Sequence, residues 1–514
     1  MMTILTTVNT NADDWPSLDY ELEVFNEMHE RYHSGRARRQ DLRAMIAPTR
    51  SLEHLDAEQV DESADIRFPL HDLDAVIMNA PFTANENRSR KYGEDGRKAM
   101  QRHELGIQEH VESRDNASAG VVTANSIQTF FAPLADRLIG KKHGVLAEVI
   151  PTTVCTGTGA IAQRRFLAER FRIETVVTSH DPRRPNFSEN TAIHESLLIC
   201  RRRTRTDGGQ DRPTRFVALR AMPSTSEEAI EVVAAIETGD AGKWIAVYEQ
   251  PAVLVAAGDW RPCQFLDPEL VSAAMRLERE QGLVPLGGRY ALGPAGQRIR
   301  DAFLPLDESD DEGYCVFWGR SKDLRTTMQG HPEQLVADKK PALAARYRQQ
   351  AGHVLLAAKF NTVSGRLFAI FSDSPALGSM WVPIQGQTTG PDEAKALCAW
   401  FNSTLGALGF LMKRGATLMN PSFSQAELAT LRVPDFRRAS AAMLAEAYER
   451  TRQMPVNPWK QAADDDMRDC LDRAAAETTG IDLDTVRDWR ARIAREPTVA
   501  NERAAESALA DRET

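Results

Sequence analysis

The stretch Asp74-Ala75-Val76-Ile77-Met78-Asn79-Ala80-Pro81-Phe82 sets four consecutive apolar residues directly before an Asn-x-Pro-aromatic turn. A short apolar run of this kind reads as a buried strand. The turn therefore falls at the strand's C-terminal end, the edge where ligands bind in open α/β sheets. A carboxamide, a turn-forming proline and an aromatic ring placed there suit a flat, amine-bearing molecule such as a nucleobase.

Outward from this stretch the chain keeps an α/β rhythm. Helical spacing over 126–139 (Ile127, Phe130, Leu134, Leu138) leads to a strand at Gly144–Ile150 that ends in Pro151. A helix at Ala160–Phe171, a strand at Ile173–Val177 and another at Ser196–Cys200 follow. Alternating strands and helices favour a doubly wound sheet. Past Arg205 the pattern changes. Phe216–Ala221, Trp244–Tyr248, Val253–Ala256, His353–Ala358 and Arg366–Phe371 read as strands, and Glu227–Ile236 and Ala394–Leu411 as helices. Residues 17–46 have amphipathic helical spacing, 84–116 read as a long charged loop, and 307–312 as an acidic loop. From Ser440 the chain is helical and charge-rich, ending in a polar tail near Thr498. The expected division is a helical segment at 1–65, a catalytic-type α/β region at 66–205, an α+β connecting region at 206–350, a recognition-type region at 351–440 and a helical tail at 441–514.

The chain has 514 residues, 42% of them hydrophobic and 26% charged, enough for two to four domains with real cores. The net charge of −10 gives no global support for nucleic-acid binding, yet a local basic groove can coexist with an acidic exterior. Six scattered cysteines with no CxxC pair argue against zinc and against a disulfide framework, and suit a reducing cytoplasm. No metal site is expected. No membrane span or secretory signal is expected either.

Residues 66–205 resemble the catalytic half of the N6-adenine DNA methyltransferases of type I and type IIG restriction–modification systems. Asn79-Ala80-Pro81-Phe82 is similar to that family's (N/D)PP(F/Y) signature. The Gly144–Pro151 strand resembles the strand that comes next in these enzymes. Asn186-Phe187-Ser188-Glu189-Asn190-Thr191, leading into Ser196-Leu197-Leu198-Ile199, resembles the later segment whose aromatic residue contacts the flipped base. The resemblance covers about a quarter of the chain. It implies S-adenosylmethionine as methyl donor and double-stranded DNA as partner.

The chemistry suits these residues. An exocyclic adenine nitrogen is a poor nucleophile because its lone pair is delocalised into the ring. Two acceptors aimed at its N–H groups localise that pair toward an incoming methyl carbon. The Asn79 side-chain oxygen and the Ala80 backbone carbonyl are the candidate acceptors, with Pro81 holding the turn. Phe82 and Phe187 are the candidate stacking walls for a base taken out of the duplex. Positioning and electrostatics then do most of the work.

Two departures from the family pattern stand out. Residue 80 is alanine rather than proline, which keeps the carbonyl and loses rigidity. The family's Gly-rich cofactor loop, expected upstream of Asn79, has no counterpart: Gly35 is the one glycine between Met1 and Asp74. Cys155-Thr156-Gly157-Thr158-Gly159 resembles that loop in letters but lies downstream, and reads as a flexible crossover loop. The cofactor-binding residues are therefore unknown, and a separate chain carrying the cofactor motif, or a specificity or restriction subunit, is the expected partner.

A second resemblance lies in Trp400-Phe401-Asn402-Ser403-Thr404-Leu405-Gly406 followed by 428–436, which look like the target-recognition modules of these systems. Asn402 is the candidate for base edges, and Lys359, Arg366, Lys413 and Arg414 for phosphates. The fold expected is α/β: an incomplete Rossmann-like methyltransferase sheet, an α+β target-recognition-like region and a helical C-terminus. The function expected is transfer of methyl to a flipped adenine in a restriction–modification or phage-defence system. The alternatives are a catalytically inactive DNA-binding subunit and a scaffold without DNA contact.

Overall fold

The computed structural model describes residues 3–7, 73–79, 131–140, 144–188, 193–204, 212–306, 313–318, 325–386, 389–415 and 417–503. The readings for 17–46, 84–116, 307–312, Ala80, Pro81, Phe82 and Arg205 lie outside these residues.

The apolar run before Asn79 is a strand, and its neighbours assemble one mixed sheet. Its strands are β1 (Thr3–Thr7), β2 (Ala75–Asn79), β3 (Val145–Pro151), β4 (Phe171–Ser179), β5 (Glu195–Arg202), β6 (Thr214–Leu219) and β7 (Ile245–Gln250). The spatial order is β1-β2-β3-β5-β4-β6-β7. β1, β2 and β3 run parallel, as do β4 and β6, while β5 lies antiparallel to both β3 and β4. Five strands therefore end at the same edge of the sheet. That edge collects Asn79, Pro151 and Ser179 together with Glu195, the first residue of the reversed strand.

Period-two alternation sends successive side chains to opposite faces. Val176 of β4 packs with Val76, Met78, Leu146 and the helices Phe131–Leu138 and Ile161–Arg170. Its neighbour Val177 packs on the other face with Val217, Leu219, Trp244 and Val232 of the helix Ser226–Thr238. That helix is capped at its start by the Thr225 hydroxyl, which accepts from Glu228 N. It stops at Gly239 with φ 74°, a left-handed conformation that favours glycine. β6 and β7 continue the sheet, so the expected boundary at residue 205 falls inside it.

The remainder builds around an antiparallel three-stranded sheet of Gly352–Ala357, Ala369–Ala376 and Trp381–Ile384. Its large core includes a stacked file of Phe360, Phe368 and Phe410, with ring centroids 4.1 and 4.6 Å apart. The helices Pro391–Asn402, Ala442–Thr451, Asp466–Thr479 and Leu483–Arg495 enclose it.

Three expectations are corrected. Val253–Ala256 is helical (Ala252–Ala256) because Pro251 turns the chain and its carbonyl accepts from Leu254 N at 2.9 Å. The single helix expected over 394–411 is two, Pro391–Asn402 and Thr404–Met412. Extended Ser403 (φ −72°, ψ 165°) ends the first, and its hydroxyl caps the second by accepting from Gly406 N. The region near Thr498 is no polar tail. Thr498 is buried, its carbonyl accepts from the Thr362 hydroxyl, and its hydroxyl accepts from Arg414.

Candidate functional site

Asn79 is the last residue of β2, half-buried at the edge where five strands end. Its Nδ2 donates to Ser188 Oγ at 2.8 Å, across 109 residues of chain. Oδ1 accepts no hydrogen bond among the described residues. Ser188 is anchored in turn: its backbone N–H donates to Glu195 Oε2 at 2.7 Å. Phe187, next in the chain, is half-buried and packs against the cluster of Val177, Leu219 and Trp244. The structure thus brings Asn79 and the Phe187–Ser188 segment together.

Behind this edge runs a chain of buried hydroxyls whose polarity is set by its last member. His194 Nε2 lies 2.9 Å from Ser179 O, a carbonyl that only accepts, so Nε2 carries the proton. Nδ1 then accepts from Thr152 Oγ1 at 3.0 Å, Thr152 accepts from Ser196 at 3.1 Å, and Ser196 accepts from Thr178 at 2.9 Å. Burial holds the His194 imidazole down to about 4, so it is neutral at physiological pH. This network sets the ends of β3, β4 and β5 relative to one another.

A cavity of about 230 Å³ lies at the end of β4, lined by His180, Asp181, Asn186, Met419, Asn420 and Thr498 among others. Its lining joins the sheet edge to residues 417–420 and to Thr498. Asp181 of that edge pairs with Arg503.

The residues of the Cys155–Gly159 stretch do not fit a cofactor cradle. Thr152–Thr156 is a helix and Thr158–Ala160 a 3-10 turn. Gly157 N donates to Thr153 O at 2.7 Å, and the carbonyls of Val154 and Gly157 accept from buried Arg164 at 2.6 and 2.9 Å. A Cβ at residue 157 would come within 2.7 Å of Thr153 O, so close backbone approach accounts for the glycine. The flexible loop expected there is instead pinned. Among the described residues no group of three or more His, Cys, Asp or Glu gathers to hold a metal, and no helix is long and apolar enough to cross a membrane.

The residues expected at DNA fare unequally. Asn402 is buried, with Oδ1 accepting from Phe368 N and Ala369 N, and Nδ2 donating to Ala369 O and Cys398 O. Arg414 is buried on the carbonyls of Leu411, Leu418 and Gln264. Base and phosphate roles for these two are corrected, because a side chain consumed by interior hydrogen bonds has no group left for a ligand. Lys413 pairs with Glu278 at 2.9 Å, and half-buried Arg366 donates to Val456 O at 2.7 Å. Lys359 is exposed.

Ser188, Glu195, Thr152 and His194 were missed in the sequence. The available signal was a Glu opening an otherwise apolar strand, directly after a His.

No protein-family model matches the sequence, and no curated protein matches it. Among solved structures, the type IIG restriction endonuclease BpuSI is similar at 12% identity and TM-score 0.36, over 85% of this chain and 55% of that one. The DrdV–DNA complex is similar at 12% identity and TM-score 0.38, over 74% of this chain and 44% of that one. A type I restriction–modification methyltransferase subunit from Streptococcus thermophilus is similar at 16% identity and TM-score 0.25, over 40% of this chain and 39% of that one. The chain thus spans about half or less of the length of these proteins. Likeness at this level assigns neither family nor activity.

Proposed function

We propose that this chain is the base-holding and recognition portion of an N6-adenine DNA methyltransferase of a restriction–modification or phage-defence system. The observation that supports it most is the Asn79 amide, tied by Nδ2 to Ser188 with Oδ1 left as an acceptor at the sheet edge. In this reading Oδ1 and the Ala80 carbonyl accept from the exocyclic amine of a flipped adenine. Phe82 and Phe187 stack on the base. Pro81 holds the turn, and Lys359 meets phosphate. S-adenosylmethionine supplies the methyl group, held by residues that a partner chain provides.

The test is coexpression with the product of the adjoining upstream reading frame in cells free of adenine methylation. The expected result is N6-methyladenine in digested DNA, with calorimetric heat on adding S-adenosylmethionine to the complex and none with this chain alone. Unmethylated DNA from the complex contradicts the proposal.

The pinned Cys155–Gly159 stretch favours a second reading, a DNA-binding subunit without catalysis. It predicts salt-dependent gel shifts with no methylation in any combination.

A further inference from the structure

We propose that Glu195 is a positioning residue for Asn79, acting through Ser188 to fix which end of the Asn79 amide faces the site. This rests on the base-holding role proposed for Asn79. Glu195 opens β5 opposite Pro151, the last residue of β3, and Asn79 lies opposite Val149 on the next strand. Its side chain is fully buried, at 0% exposure. A carboxylate so placed costs free energy unless it takes hydrogen bonds. Oε2 accepts from Ser188 N at 2.7 Å, while Oε1 has no partner among the described residues. The carboxylate is thus spent on one contact, the backbone of the residue that holds Asn79.

A primary amide turned by 180° about its Cβ–Cγ bond keeps its shape and exchanges oxygen for NH2. In one orientation it accepts from an amine; in the other it opposes donors with donors. The Ser188 hydroxyl can serve either orientation, so its placement matters. Glu195 sets that placement through the backbone. By holding Ser188 N it keeps Oγ where it accepts from Asn79 Nδ2 at 2.8 Å. Oδ1 is thereby left pointing away from Ser188.

The test uses the full chain with 15N-labelled asparagine, the Asn79 side-chain signal being assigned by its loss in Asn79→Ala. In the wild type the two Nδ2 protons are expected to be well separated and slow to exchange. In Ser188→Ala and Glu195→Ala they should converge on free-amide positions and exchange about 10-fold faster or more, as expected for losing one hydrogen bond. Ser188→Thr should keep the wild-type signal. Where Glu195→Ala does not fold, isosteric Glu195→Gln decides: its amide is a weaker acceptor for Ser188 N, so the separation should shrink.

In the reconstituted complex the same variants should lower kcat about 10- to 100-fold, the range seen when outer partners of a working group are removed, with KM for DNA nearly unchanged. An unaltered Asn79 signal in the Glu195 variants overturns the proposal, even if Asn79→Ala abolishes methylation. A collapsed signal together with normal methylation by Asn79→Ala upholds the relay and removes the base-holding reading instead.

Discussion

Asp181, two residues past the end of β4, closes on Arg503, 322 residues later. Arg503 Nη2 lies 2.7 Å from Asp181 Oδ2, and Nε 3.1 Å from Oδ1. Asp181 also accepts from Arg183 N and Met222 N. One buried carboxylate therefore ties the sheet edge to the C-terminal helices. Burial works against its charge, yet Arg503 and the two N–H groups hold its carboxyl below the usual range. Stability from such a group is present above the ordinary carboxylate pKa and lost as pH falls through the depressed one. Arg503→Ala should cost about 1–3 kcal/mol at neutral pH, the worth of charged hydrogen bonds, read from urea unfolding. The gap between variant and wild type should narrow on acidification.

Glu496 behaves with the opposite sign. It is buried, accepts from Asp267 N and Leu266 N, and lies 3.9 Å from His180. Burial pushes its carboxyl up from an ordinary 4.5 to about 7. Between these values the folded state binds the extra proton, so this group's contribution falls as pH rises. The neutral histidines oppose it: His194 is held down to about 4 and His180 well below its usual value, both chiefly by burial, and both favour folding as pH rises. The clean readout is therefore a difference. Unfolding free energy of Glu496→Gln minus wild type should move in the variant's favour by on the order of 3 kcal/mol from pH 4.5 to 7. A pH-independent difference contradicts the assignment.

Asn402→Ala should unfold more easily by about 2–4 kcal/mol, because two N–H groups and a carbonyl lose their partner in the interior. The slope of DNA affinity against salt should not change. A specific loss of DNA binding at unchanged stability would restore Asn402 to a role in base recognition.

Lys359 is exposed and predicts the reverse pattern. Lys359→Ala should leave stability within about 0.5 kcal/mol of wild type. In gel shifts across a salt series it should reduce the salt slope by about one, as for one lost phosphate contact.

Much of the sheet was legible because its strands are short apolar runs with clear ends. The strands expected at 144–150, 173–177 and 196–200 are β3, β4 and β5 within a few residues. What local pattern does not show is which distant groups meet. Asn402 and Arg414 read as surface residues because they are polar. Only tertiary packing makes Asn402 a tie between a helix and the strand starting at Ala369, and Arg414 a bond to Gln264. The break at Ser403 falls in Asn402-Ser403-Thr404, three polar residues inside an apolar run, where the Ser403 hydroxyl caps the second helix. The place of Asn79 at the end of a strand was readable from the apolar run before it. Ser188 and Glu195 were not, since a hydrogen bond spanning 109 residues leaves no periodicity behind.

The base-holding role of Asn79 is best tested by methyl transfer from labelled S-adenosylmethionine to DNA adenine in the reconstituted complex, comparing Asn79→Ala with wild type at matched DNA occupancy. The variant is expected to bind DNA as before and to transfer at least about 100-fold more slowly, in line with loss of a group stabilising developing charge. Undiminished N6-methyladenine from Asn79→Ala would contradict that role.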